Sequence, residues 1–214
     1  MPFKTPGANS IYIRSILPPE KEENLKRILA YADENIIPVL LPETAAFLRQ
    51  MVYLAQPKKI LEIGTAIGYS GHVILSACQG HLYTIEADEK SLSKANEFFA
   101  QSGYRDRVTT YLGDANEIVP MFSGQFDFIF LDGPKTRYIQ YLPYLKRMLS
   151  PGGILLCDNV LFNGMVSGES QVVKKKATIV NALDLFLRTV TSDQDFLTSI
   201  LPVGDGVSLS IKKE

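Results

Sequence analysis

The stretch Lys59-Ile60-Leu61-Glu62-Ile63-Gly64-Thr65-Ala66-Ile67-Gly68-Tyr69-Ser70 decides the fold. A short apolar run reaches Gly64, turns, and gives way to a segment with helical spacing over 69–78, which predicts strand, tight turn, helix. The unit repeats downstream. Leu82-Tyr83-Thr84-Ile85 is a second strand ending at Glu86, followed by a helix over 88–101 that Asp88 can cap. A third strand over 108–112 ends before Asp114, a fourth over 126–131 ends at Asp132, and a fifth over 153–157 ends at Asp158. Helices are predicted over 137–149 and 175–190. Strands over 196–201 and 207–211 are joined by Pro202-Val203-Gly204-Asp205-Gly206, too short for anything but an antiparallel hairpin. Upstream, residues 1–19 read as a Pro- and Gly-punctuated arm. Helices follow over 20–35 and from Pro42 to Pro57. Short apolar strands alternating with helices predict one α/β domain whose mostly parallel sheet is covered on both faces. Its core runs over 58–214, and residues 1–57 lie outside the sheet.

Composition agrees with a single globular domain. Of 214 residues, 46% are apolar and 21% charged, which excludes a disordered or fibrous chain. Lys and Arg total 22 against 23 Asp and Glu, a formal net charge of −1, so a uniformly basic nucleic-acid surface is excluded. The two cysteines, Cys78 and Cys157, form no Cys-x-x-Cys pair and read as small buried hydrophobes. Residues 1–7 lack the apolar block of a signal peptide, and no apolar run approaches the roughly 18 residues of a membrane span. The expectation is a cytoplasmic protein with no membrane partner.

In open α/β sheets ligands gather at the carboxyl ends of the strands. A single acid there often only caps the next helix. Four in succession would converge on one rim. The first loop has Gly64 and Gly68 but no Gly-x-Gly-x-x-Gly, so it is tight without being built for a pyrophosphate. Glu86 follows Gly64 at about the 20-residue spacing at which an acid accepts hydrogen bonds from ribose. Glu62, Gly64, Thr65, Gly68, Tyr69 and Ser70 followed by Glu86 therefore fit an adenosyl ligand without a diphosphate, such as S-adenosylmethionine (SAM). Asp114 and Ala115 would lie by its adenine.

Asp132, Asp158 and Asn159 form a second group, on neighbouring strands. Two carboxylates and an amide suit a hard cation such as Mg²⁺ and do not suit zinc. The alternative is that Asp158 and Asn159 merely begin a loop. Lys135 lies three residues beyond Asp132. Beside a divalent cation its ammonium form would be disfavoured and it could act as a general base. Otherwise it is a solvated loop lysine.

Together these residues resemble the class I SAM-dependent methyltransferases. More closely, they resemble the divalent-cation-dependent O-methyltransferases of catechol and caffeoyl-CoA type. The resemblance runs from Pro42-Glu43-Thr44 through Leu61-Glu62-Ile63-Gly64-Thr65, Gly68-Tyr69-Ser70, Glu86, Gly113-Asp114-Ala115, Phe130-Leu131-Asp132 and Lys135 to Asp158-Asn159-Val160-Leu161. It departs at Ala66, where the family often has Gly, and at Gly133-Pro134, where small residues such as Ala-Ala are usual. The resemblance implies a Rossmann-like seven-stranded sheet whose last hairpin inserts antiparallel. It implies SAM contacts that include Leu40 and Ala87, and a metal (Mg²⁺, or Mn²⁺ or Ca²⁺) on Asp132, Asp158 and Asn159. Asp132 and Lys135 would be catalytic, and the chain a homodimer.

The ending Pro202-Val203-Gly204-Asp205-Gly206-Val207 is similar to that of the bacterial branch that methylates 5-hydroxyuridine at the tRNA wobble position. That substrate implies a tRNA partner. Lys4, Arg14, Lys174, Lys175 and Lys176 would supply a basic rim for its phosphates, unless the Lys run is simply a solvated helix start. A small catechol-like or caffeoyl-CoA-like metabolite is the alternative substrate. A non-catalytic adenosyl- or NAD-binding domain is the alternative from outside enzymology.

Overall fold

The computed structural model describes residues 8–214. Its seven-stranded sheet runs β3-β2-β1-β4-β5-β7-β6. The strands are β1 (Lys59–Ile63), β2 (His81–Glu86), β3 (Val108–Leu112), β4 (Phe126–Leu131), β5 (Leu149–Asp158), β6 (Phe196–Leu201) and β7 (Val207–Lys212). The first five pair in parallel, and β7 pairs antiparallel with both β5 and β6. The predicted α/β class, mostly parallel sheet and terminal hairpin are therefore all present. The chain leaves β1 outward to β2 and β3 and returns to β4 on the other side of β1. That reversal is the topological switch point of a doubly wound sheet.

The helices are α1 (Ala8–Ile16), α2 (Glu23–Glu34), α3 (Pro42–Ala55), α4 (Tyr69–Ala77), α5 (Glu89–Gln101), α6 (Ala115–Ile118), α7 (Tyr138–Met148) and α8 (Ala177–Ser192). Two apolar clusters cover the two sheet faces. One joins Leu25 and Ile28 of α2, Leu48 and Val52 of α3, Val73 of α4 and Phe98 of α5 to Ile60, Phe128, Phe130 and Leu156. The other joins Tyr138, Leu142 and Leu145 of α7 and Leu183 and Phe186 of α8 to Leu61, Ile129, Leu131 and Leu155. Residues of β4 alternate between the clusters, as strand geometry requires. Each fully buried Phe or Leu contributes roughly 1.5–3 kcal/mol. Cys78 and Cys157 are free thiols packed in these clusters. Among the described residues, no helix is long and apolar enough to cross a membrane.

The predicted arm over 1–19 is corrected in part. Residues 8–16 form α1, because Ala8 to Ile16 contains neither Pro nor Gly and Arg14 finds a partner on α3. Lys4 lies outside the described residues. The fifth strand begins four residues earlier than predicted, through Pro151-Gly152, and α6 was not anticipated.

Close approach at the switch point depends on Gly64. Its φ is +104°, and a Cβ there would stand 2.6 Å from the Asp132 carbonyl oxygen. Strained backbone of this kind costs about 1–3 kcal/mol before any clash. Gly64→Ala is expected to lower the urea midpoint of unfolding by an amount equivalent to at least about 2 kcal/mol; an unchanged midpoint would contradict this packing.

Candidate active site

The carboxyl ends of the parallel strands bring Asp114, Glu86, Gly64, Asp132 and Asp158 to one edge of the sheet, in that spatial order. The β1 loop is held from both sides. Gly64 N–H and Thr65 N–H donate to the Ile85 carbonyl at 3.0 and 3.2 Å, and Asp132 N–H donates to the Ile63 carbonyl at 2.9 Å. Ala66 has a left-handed φ of +45°, and its N–H donates to Glu86 Oε2 at 2.8 Å. Glu86 Oε1 accepts from the Ala87 and Asp88 N–H groups, both at 2.9 Å. The carboxylate thus fixes the loop and still has lone pairs for a ribose, since each oxygen can accept more than one bond.

Several residues assigned to the cofactor are turned inward. Glu62 is fully buried; Ser70 donates to its Oε1 at 2.5 Å and Thr84 to its Oε2 at 2.6 Å. Thr65 Oγ1 lies 2.5 Å from Thr84 Oγ1, completing a buried chain beneath the loop. Tyr69 and Leu40 pack in the cluster on the α2–α5 side. Burial pushes the Tyr69 hydroxyl up to about 12. These side chains support the loop from below, whereas Gly64 and Ala66 remain partly exposed. Asp114 is exposed and caps α6, accepting from the Asn116 N–H at 2.8 Å. Ala115, the next residue, is buried.

At the next two strand ends, Lys135 Nζ lies 2.5 Å from Asp132 Oδ1. Asp158 is only 2% exposed, and its Oδ1 accepts from the Asn159 N–H at 2.7 Å. Burial raises the Asp158 pKa, and the neighbouring Asp132 carboxylate raises it further, while Lys135 opposes both. Among the described residues the Asn159 side chain has no hydrogen-bond partner, and its φ of +56° sets the chain turning away from β5. Two carboxylates against one ammonium, with a free amide beside them and neither thiolate nor imidazole, match the donor set of a hard cation. Tyr138 was not anticipated. Its buried hydroxyl lies 2.9 Å from the Leu131 carbonyl and 3.1 Å from the Asp158 carbonyl, bridging the two strand ends that carry Asp132 and Asp158.

The basic rim is divided. Arg14 makes a bidentate pair with buried Glu43 of α3, at 2.8 and 2.9 Å, which commits its guanidinium to holding α1 in place. Lys174 and Lys175 are exposed in a single turn before α8, and Lys176 Nζ sits 5.7 Å from the Phe162 ring centre. Phe162 belongs to the loop leaving Asn159, so this turn is tied to the Asp158 end of the site.

The buried acid of β1 has a consequence for pH. Burial raises the Glu62 carboxyl from 4.5 to about 7, against the hydrogen bonds from Ser70 and Thr84. A carboxyl that holds its proton more tightly when folded favours the fold fully below its unfolded value, and that contribution disappears as pH rises to about 7. Without ligands, thermal stability should therefore fall between pH 5 and 8 in the wild type and fall less in Glu62→Gln; parallel profiles would contradict a buried, proton-holding Glu62.

The O-methyltransferase family model matches residues 17–213. A catechol O-methyltransferase from Niastella koreensis is 31% identical over 166 residues, covering 74% of this chain and 75% of that protein. A caffeoyl-CoA O-methyltransferase from Stellaria longipes is 26% identical, over 89% and 83% of the two chains. Among solved structures, a Podospora anserina methyltransferase with S-adenosylhomocysteine bound superposes with a TM-score of 0.84 at 26% identity, over 96% and 94% of the chains. With a Rossmann-like sheet, a tight β1 loop and an acid at the end of β2, this chain belongs to the O-methyltransferase family and uses SAM as methyl donor.

Proposed function

We propose that the chain transfers a methyl group from SAM to a hydroxyl that has a second oxygen beside it, and that a divalent cation is required. The observation that carries this is the buried, charge-crowded Asp158 beside Asp132 and an unpartnered Asn159 amide. Bound there, a cation such as Mg²⁺ would supply Lewis acidity to two adjacent substrate oxygens and fix their angle to the methyl group. Asp132, Asp158 and Asn159 would hold it, and Tyr138 bridges the two strand ends that carry them. Lys135, in its neutral amine form, would receive the hydroxyl proton. The substrate oxygen forms its bond to the methyl carbon as the carbon–sulfur bond breaks, and the electron pair stays on sulfur as neutral S-adenosylhomocysteine. Gly64, Thr65, Gly68, Glu86, Ala87, Asp114 and Ala115 line the edge proposed for the donor.

The substrate we favour is 5-hydroxyuridine at the tRNA wobble position, whose 5-hydroxyl and 4-carbonyl offer adjacent oxygens, giving 5-methoxyuridine. Exposed Lys174 and Lys175 in the turn beside the Asp158 end, with Lys176 next to them, support this, since phosphate contacts position an RNA without reading it. Arg14, paired with Glu43, adds little to that rim. The second reading, a small vicinal diol such as a catechol, is supported by the names of the relatives. The exposed apolar side chains Ile11, Tyr12 and Ile16 of α1 and Tyr53 and Leu54 of α3 support a homodimer.

Labelled SAM and Mg²⁺ incubated with hypomodified total tRNA or a catechol panel should place label in the tRNA. Asp158→Ala should abolish transfer while retaining SAM. Replacing Lys174, Lys175 and Lys176 by Ala should weaken tRNA binding and flatten its salt dependence. Label only in catechols would overturn the substrate, and activity in chelator or in Asp158→Ala would overturn the cation. Light scattering at micromolar concentration should give twice the 23.8 kDa chain mass, and a monomer would contradict the dimer.

A further inference from the structure

The turn between β6 and β7 lies against the loop that leaves β5. Val160 N–H donates to the Gly206 carbonyl and Leu161 N–H to the Asp205 carbonyl, both at 3.0 Å, and Asn163 N–H donates to Asp205 Oδ1 at 2.5 Å. That loop needs holding. Asn159, Phe162 and Asn163 have φ of +56°, +46° and +56°. Asn tolerates the left-handed region, but a Phe there is an outlier that survives only where its surroundings over-determine it. The turn is itself seated. A Cβ on Gly206 would run into the Leu161 side chain, and one on Gly204 into Thr44 of α3. Backbone and side chain of one residue, Asp205, thus take two of these three bonds from the turn to residues 160–163.

We propose that Asp205 is a positioning residue for the cation site: it moulds the loop so that the Asn159 amide stays beside Asp158 and Asp132. The inference rests on the cation reading given above. Residues around metal ligands commonly govern affinity in this way. The Asp205 charge also reaches Asp158, so charge and shape have to be separated. Asp205→Asn keeps the acceptor oxygen and removes the charge; Asp205→Ala removes both.

The test measures Mn²⁺ binding, from the electron paramagnetic resonance of free Mn²⁺, together with amide hydrogen exchange over residues 159–166. Wild type, both Asp205 variants and Asp158→Ala are compared. Asp205→Ala should weaken Mn²⁺ binding by about 10- to 100-fold and speed exchange in the loop, with S-adenosylhomocysteine affinity unchanged. Asp205→Asn should stay close to wild type in both. Wild-type Mn²⁺ affinity in Asp205→Ala would overturn the proposal, as would an Asp205→Asn variant as weak as Asp205→Ala. Wild-type protein that binds no Mn²⁺, indistinguishable from Asp158→Ala, would instead overturn the cation reading and this role with it. Loop exchange would then still report whether Asp205 tethers residues 160–163.

Discussion

Where β1 and β4 run side by side, the Gly64 turn meets the Asp132 backbone with no room for a side chain between them. Asp132 N–H is bonded to the Ile63 carbonyl across the same gap. This contact closes the switch point of the sheet, and the arrangement on either side depends on it. On the β2 side it fixes the loop that Glu86 clasps through the Ala66 N–H. On the β5 side it sets where Asp132 stands relative to Asp158 and Lys135. The edges proposed for the donor and for the acceptor thereby meet at one junction, as transfer between two bound molecules would require.

The same edge concentrates acids that water would otherwise solvate. Glu62 is fully buried with two hydroxyl donors, and Asp158 is buried with one backbone donor. Both carboxyls hold their protons more tightly than usual because burial disfavours the charged form. The two differ in what could relieve them. Glu62 has both oxygens bonded and sits beneath the loop, a supporting role. Asp158 faces another carboxylate beside an unpartnered amide, which is the asymmetry from which a cation site is inferred.

Much of this was legible in the sequence because the informative residues sit at the ends of apolar runs. Glu86, Asp114, Asp132 and Asp158 each end or follow a short strand, so their common edge follows from the alternation of strands and helices alone. What was hidden depends on partners remote in the chain. Arg14 looked like a free cation until Glu43 was found opposite it. Thr84 is one polar residue in an apolar strand, and only the fold shows that it serves Glu62. Tyr138 and Asp205 act through backbone carbonyls and N–H groups of other elements, which leave no mark on residue type. Residues 8–16 concealed a helix because Pro2, Pro6 and Gly7 before them and Pro18 and Pro19 after them read as the punctuation of an arm.

The proposed chemistry turns on a divalent cation held between the β4 and β5 ends beside the methyl donor. Crystals grown with S-adenosylhomocysteine and Mn²⁺ test it most directly, through anomalous scattering collected near the manganese edge. One strong peak is expected among Asp132, Asp158 and Asn159, with the adenosyl group against Glu86 and the Gly64 loop. A structure with the adenosyl group in place and no peak among those three side chains would contradict it.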